Sequence, residues 1–353
     1  MKTINIFLEN DSSLESEFRS IYLFGRNVAT YKFALAHSLL ELSTQEKTFI
    51  SLEELSPIFA KHMLEHVKSG KRQLTSPSSQ FINALELYNL SQITWEQLMF
   101  VTERKGFVNV IDAFHIIPTG QLETRFYEKG IQGKTIGISL TDSIFQIDQS
   151  SQKNNLINEI DGRWNLVETA WTEKNPKLEI KFDGDLEQFF YIKAVTPETY
   201  MNSHERIALT SARKPLNGYQ KGKCFYCYRP ISIQSKQLDI CDVDHFIPLS
   251  VQYTSTLDLD LNGIWNLVLS CQECNRGERF GKFSRVPQES LLQRLHKRNE
   301  YLIESNHPLK ETIMMKTGMN SKLRASYLKT IFNFASSNKS SGWLPEKYYA
   351  DGF

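Results

Sequence analysis

The stretch "DVDHFIPLS", residues 242–250, decides how the second half of this 353-residue chain folds. Core-type residues surround a polar pair, Asp244 and His245. Pro248 is suited to end a strand, because its nitrogen has no hydrogen to donate to a ladder. The pattern therefore predicts a short β-strand that carries the polar pair. Taken alone, it fits both a buried structural histidine and a catalytic one.

All five cysteines of the chain lie close to this strand, between positions 224 and 274. Four of them form two C-x-x-C pairs, Cys224/Cys227 and Cys271/Cys274. In an intracellular chain, such pairs separated by tens of residues predict a tetrahedral zinc site rather than disulfides. Redox-active or unrelated thiols are the alternative. Cys241 is left over, and we expect it to be a small buried residue of the strand.

Three motifs follow one another in a fixed order: "DVDH" at 242–245, "NGIWNLVLSC" at 262–271 and "CNRG" at 274–277. Their layout is strand, loop, strand and helix. This part of the chain resembles the HNH endonucleases, whose shared unit is the ββα-metal (His-Me) finger. It is also similar to the HNH domain of the CRISPR RNA-guided DNA endonucleases. The resemblance implies a metal-dependent nuclease that acts on DNA.

The resemblance also implies a role for each polar residue of the motifs. Asp244 is expected to be a ligand of the catalytic divalent ion, and His245 the general base. Asn266 is expected to order the loop and orient the histidine. Asn275 falls where the family has its second protein ligand of the catalytic ion.

The chemistry of phosphodiester hydrolysis agrees with these residue types. Histidine has a pKa near 7, so it can take a proton from water. Carboxylate and amide oxygens suit Mg²⁺ or Mn²⁺, and a cation of this kind stabilises the scissile phosphate. Zinc on the four cysteines is expected to be structural. Because neighbouring strand residues point to opposite faces, Asp244 and His245 must lie where the strand ends or twists to serve one site.

We expect an α+β protein in three parts. Residues 1–210 read as a helix-rich α+β domain of unknown role, 211–290 as the HNH domain and 291–353 as a helical extension packing on it. In the first part, "FDGDLEQ" (182–188) is interpreted as a hairpin turn rather than an acidic metal site, and His115 as a core histidine. Residues 211–353 hold 20 Lys and Arg against 13 Asp and Glu, which favours a polyanionic partner.

The remaining features concern location, partners and rival functions. No run approaches the roughly 18 apolar residues of a membrane span, and the N-terminus does not read as a signal peptide. A cytoplasmic protein is therefore expected, and its resemblance to stand-alone HNH proteins suggests bacterial antiviral defence. The more acidic first part leaves room for a protein partner. The alternative is a zinc-ribbon nucleic-acid-binding or regulatory protein whose nuclease site is inactive or conditionally activated.

Overall fold

The computed structural model describes residues 2–45, 47–76, 78–174, 178–194, 204–234, 240–254 and 259–347. Helices and short antiparallel sheets make up the protein, so the expected α+β class is confirmed. Two compact units form: one holds Ser12–Lys174 with Thr3–Leu8, and the other holds Asn175–Phe353 with Glu9–Asp11. Within the described residues, no helix is long and apolar enough to cross a membrane.

The first unit is rich in helices, as expected. Its helices are α1 (Lys2–Glu9), α2 (Leu14–Phe24), α3 (Tyr31–Leu42), α4 (Leu52–Val67), α5 (Gln80–Asn89), α6 (Trp95–Val101), α7 (Val110–Ala113), α8 (Asp142–Gln149) and α9 (Lys153–Glu173). Helix α4 begins with a capping box, in which Ser51 and Glu54 each bond the other's backbone N–H. The core includes an ion pair between Arg19 and Glu159, at 2.8 Å, in which both side chains are almost fully buried.

Short strands complete the first unit. Strands β1 (Phe49–Ser51), β5 (Thr135–Leu140) and β4 (Tyr127–Gln132) form one antiparallel sheet in that order, and β2 (Ile116–Ile117) pairs with β3 (Gly120–Gln121). His115 is buried and its Nε2 accepts a hydrogen bond from the Phe126 N–H at 3.0 Å. Burial lowers the pKa of His115 to about 3. The interpretation of His115 as a core histidine is confirmed.

A three-stranded antiparallel sheet opens the second unit. It consists of β6 (Lys181–Asp183), β7 (Gln188–Ala194) and β8 (His204–Ser211) in that order. The turn between β6 and β7 is the expected hairpin, because Asp183 Oδ1 accepts hydrogen bonds from the N–H groups of Asp185 and Leu186.

The two units divide after Lys174, so the sheet of β6, β7 and β8 belongs to the second unit. Hydrogen bonds account for this grouping. The backbone of Ile180 donates to Thr312 at 3.0 Å, and Asn262 donates to the Phe182 carbonyl at 3.1 Å. These bonds tie the sheet to segments that follow it in the chain. The separate roles given to the three sequence segments stay predictions.

The rest of the second unit surrounds a two-stranded hairpin of β9 (Asp242–His245) and β10 (Leu267–Ser270). Its helices are α10 (Arg213–Asn217), α11 (Gln272–Arg276), α12 (Glu289–Glu304), α13 (Lys310–Thr317) and α14 (Ser321–Asn338). Residues 235–239, which precede β9, lie outside the described residues. On either side of that gap, Ser232 and Ile240 form a parallel bridge.

Helix α12 supports the hairpin through buried side chains. The Arg298 guanidinium donates to the Leu267 carbonyl at 2.6 Å, and Asn299 donates to the Trp265 carbonyl at 3.0 Å. Arg294 donates to the Phe225 carbonyl at 2.6 Å. The C-terminal helical segment therefore fixes the backbone of β10 and of the first cysteine motif.

Candidate active site and metal centre

The four cysteines of the two C-x-x-C motifs meet in one place. The sulfurs of Cys224, Cys227, Cys271 and Cys274 all lie within 4.8 Å of one another, and all four residues are buried. Among the described residues, this is the one group of three or more His, Cys, Asp or Glu residues that is placed to hold a metal ion.

Local backbone structure presents the first pair of thiols. The Cys224 N–H donates to the Arg229 carbonyl at 2.8 Å, and the Tyr228 N–H donates back to the Cys224 carbonyl at 3.0 Å. Tyr228 closes this turn with a left-handed φ of 61°. The Phe225 N–H donates to the Leu269 carbonyl at 2.9 Å, which fastens the turn to β10. The second pair flanks the start of α11, directly after β10.

The electrostatics of the cluster fit a bound cation. Hydrogen bonding with Cys224 lowers the pKa of the Cys227 thiol well below its ordinary value and raises that of the Cys274 thiol well above it. Four thiolates whose sulfurs lie within 4.8 Å of one another would repel, so the thiols cannot all ionise without a cation. A dication would stabilise all four thiolates, and soft sulfur ligands in a set of four suit zinc. The expected four-cysteine metal site is therefore supported.

The hairpin next to this cluster carries the candidate catalytic residues. Strands β9 and β10 are antiparallel, with His245 opposite Leu267 and Asp244 opposite Val268. Because side chains alternate along a strand, Asp242 and Asp244 share one face while His245 points to the other. Asp244 and His245 accordingly have different side-chain partners.

Asp244 lies on the buried face and has two partners, a hydroxyl that donates a hydrogen bond and a cation. The Tyr226 hydroxyl donates to Asp244 Oδ2 at 2.6 Å. Lys282 Nζ donates to Asp244 Oδ1 at 3.1 Å and lies 3.0 Å from Oδ2. The same ammonium donates to the His245 carbonyl at 2.9 Å, and its side chain is fully buried. Lys282 thus binds both the side chain of Asp244 and the strand that carries it.

A tight loop after α11 delivers Lys282 to this position. The Lys282 N–H donates to the Cys274 carbonyl at 2.7 Å, and the Gly281 N–H donates to the Gly277 carbonyl at 2.8 Å. A Cβ at position 281 would lie 2.6 Å from the backbone N and O of Gly277, so the loop needs glycine there. The cysteine cluster and Asp244 are therefore joined through one short loop.

His245 faces the opposite side and is held by Asn262. The imidazole Nε2 lies 2.9 Å from Asn262 Oδ1, and Asn262 Nδ2 donates to the Phe182 carbonyl at 3.1 Å. Since a carbonyl only accepts, this second bond settles which amide atom faces the imidazole. Asn262 Oδ1 then requires a hydrogen on Nε2 of the neutral ring, which leaves Nδ1 with the lone pair.

The surroundings of His245 also favour its neutral form. Burial lowers the pKa of His245 below its ordinary value, although the Asn262 hydrogen bond and the Asp244 charge act in the other direction. The Phe182 ring packs edge-on, with its centroid 6.0 Å from that of the imidazole. A neutral imidazole with an available nitrogen is the form that accepts a proton.

Asn266 has the contacts of a residue that orders the loop. It is fully buried, and its Oδ1 accepts from the Ile247 N–H at 2.8 Å. Its Nδ2 donates to the carbonyls of Ile247 and Leu261, each at 2.8 Å. These bonds hold the chain two residues beyond His245, at the end of β9.

Asn275 contacts the carboxylate of Asp242 rather than that of Asp244. Its Nδ2 donates to Asp242 Oδ2 at 3.1 Å, and the neighbouring Arg276 Nε donates to the same oxygen, also at 3.1 Å. The hydrogen bonds of Asp244 and Asn275 thus go to separate partners. The donor chemistry still fits Mg²⁺ or Mn²⁺, because carboxylate and amide oxygens are hard ligands. Their assignment as ligands stays a prediction.

Comparison with known proteins places this site in a family. Residues 224–280 match the HNH endonuclease family. The chain therefore contains an HNH endonuclease domain, which begins at the first cysteine and ends four residues after Arg276. Neither a search of curated proteins nor a search of solved structures gave a match.

Three side chains of the site were not singled out from the sequence: Tyr226, Asn262 and Lys282. Asn262 lies inside the quoted motif "NGIWNLVLSC", four residues before Asn266, but its type does not reveal its partner. Tyr226 sits between the first two cysteines. Lys282 is one of many lysines in a basic segment, and only the folded loop distinguishes it.

Proposed function

We propose that this protein is a metal-dependent endonuclease that hydrolyses DNA phosphodiester bonds. His245 carries the proposal: it lies on the strand of an HNH domain, its Nε2 is held by Asn262, and Nδ1 keeps a lone pair. In the proposed reaction, Nδ1 takes a proton from the attacking water. Asn266 keeps the end of β9 in place and so maintains the position of the imidazole.

In this proposal, Asp244 and Asn275 would hold the catalytic Mg²⁺ or Mn²⁺. When bound, such an ion supplies positive charge to the scissile phosphate and the leaving oxygen. Zinc on the four cysteines would have a structural role, because the turn at Cys224 is bonded to β10 through the Phe225 N–H and α11 directly follows β10.

The test uses supercoiled plasmid incubated with the protein and Mg²⁺ or Mn²⁺. Wild type should give nicked or linear DNA, while His245→Ala should leave the plasmid intact and keep its zinc. His296→Ala is a matched control, since His296 lies on α12 and bonds Ser321 outside the site. Full cleavage by His245→Ala would contradict the assignment of the base. The same assay on RNA of matched sequence tests the preference for DNA.

We also propose a cytoplasmic role in bacterial defence against foreign DNA. Support comes from the resemblance to stand-alone HNH proteins and from the basic surplus of residues 211–353. The first unit would then contact DNA or a protein partner. Phage plating on cells that express wild type or His245→Ala tests this role, and equal plaque numbers would contradict it.

The contacts of Asp244 favour a second candidate, a nucleic-acid-binding protein whose nuclease is held inactive until activated. The fully buried ammonium of Lys282 already compensates the charge of this carboxylate. A divalent cation that binds Asp244 would have to compete with it. A gel-shift assay beside the plasmid assay separates the two candidates. Binding of DNA without cleavage, over a wide range of Mg²⁺ and Mn²⁺ concentrations, would favour the second one.

A further inference from the structure

A cleft in the second unit lies beside His245. It has a volume of about 420 Å³ and is lined by residues of β6, β7, the segment 259–264 and α13. Two of its lining residues, Phe182 and Asn262, also contact the imidazole. The cleft and the candidate base therefore share a wall.

The charges that line the cleft cancel. Lys316 Nζ lies 3.2 Å from Glu179 and 3.2 Å from Asp260, so both acidic groups have a cationic partner. Lys181 is the other lysine of the lining. A lining without net charge gives a phosphate no electrostatic advantage over an uncharged polar group.

The lining combines an aromatic ring with uncharged polar groups. Phe190 of β7 is half-buried and supplies the flat ring. Gln252 adds an amide group that can both donate and accept hydrogen bonds, and Asn262 keeps a second N–H beyond its bond to Phe182. Aromatic rings stack on nucleobases, and amides bond their edges.

We infer that this cleft binds one nucleobase of the substrate, taken out of its stack next to the bond that is cut. The inference rests on the proposed nuclease function and adds a subsite to it. The volume is in the range of small-ligand pockets, so it is large enough to admit a single base. Because unpaired bases are the easiest to unstack, the enzyme should prefer DNA with a mismatch, a bulge or a single-stranded stretch near the cut.

The main variant is Phe190→Leu, which keeps an apolar side chain but removes the flat ring. Phe190→Tyr keeps the ring and should behave as wild type. Ile192→Ala is the matched control, because Ile192 lies on the same strand, is 44% exposed and does not line the cleft. Zinc content and thermal melting show whether each variant is folded.

The first assay measures cleavage of a duplex with one mismatch against the fully paired duplex. Wild type and Ile192→Ala should prefer the mismatch, and Phe190→Leu should lose about fivefold or more of that preference. The second assay uses no added Mg²⁺ and follows the fluorescence of 2-aminopurine at the mismatch. Taking the base out of its stack should raise this fluorescence in wild type, and Phe190→Leu should raise it less.

The outcomes separate this inference from the proposed function. If wild type cuts no DNA, the proposed function fails. If wild type cuts but Phe190→Leu keeps the same preference and the same rise in fluorescence, the nucleobase subsite is wrong. Reversal of the rise by deoxyribose 5-phosphate, but not by deoxyadenosine, would place a phosphate in the cleft and would also overturn the inference.

Discussion

Replacing Lys282 by methionine tests how the candidate catalytic strand is held. The variant keeps most of the side-chain volume but removes the ammonium that bonds Asp244 and the His245 carbonyl. The Lys282 side chain is 0% exposed and that of Asp244 is 9% exposed, so solvent cannot replace the lost charge. Breaking a buried pair from one side costs about 3–5 kcal/mol. We expect a loss of that size in the free energy of unfolding.

Urea titration with zinc release as the signal measures this loss, because all four cysteines belong to the second unit. Lys329→Met is the control: its pair with Glu289 is exposed on both sides, and we expect it to change stability by about 0–1 kcal/mol. The double variant Lys282→Met/Asp244→Asn removes the uncompensated charge and should recover part of the loss. A loss below about 1 kcal/mol in Lys282→Met, or no recovery in the double variant, would refute the reasoning.

Three further predictions concern other parts of the molecule. Cys274→Ser should lower the zinc content found by metal analysis and destabilise the second unit, and wild type purified without zinc would contradict the four-cysteine site. Asn266→Ala removes three buried hydrogen bonds and should cost about 3 kcal/mol of unfolding free energy by urea titration, with an unchanged midpoint as the contrary result. The neutral His115 of the first unit must bind a proton on unfolding below pH 6.5, so stability should fall by up to about 1.4 kcal/mol per pH unit as pH drops towards its folded pKa of about 3. His115→Gln should reduce that slope between pH 6 and pH 4, and an identical slope would count against it.

The parts of the site that were predicted from the sequence depend on local pattern or short spacing. Within each C-x-x-C motif the two thiols lie close together, because one pair lies on a tight turn and the other at the start of α11. The alternation of β9 separates Asp244 from His245 in the structure, as adjacent strand residues require. Asn266 bonds the backbone at the end of β9, and its role in orienting the histidine stays a prediction.

The residue that each of these side chains contacts lies on a segment that is distant in the sequence. Lys282 reaches Asp244 because a loop closed by Gly281 folds back on α11. Asn262 is held by Phe182, which belongs to a sheet that the sequence analysis grouped with the first domain. No periodicity or spacing links residues 80 positions apart.

The sequence by itself therefore determined which chemical groups the protein has and their order: four thiols, an Asp–His pair on a strand and two asparagines. The physical reason is that turns, strand alternation and C-x-x-C spacing are local properties of the chain. Only the tertiary structure decided which nitrogen of His245 keeps a lone pair and which charge compensates Asp244. Both depend on hydrogen bonds to distant segments, and packing of the whole second unit brings those segments together.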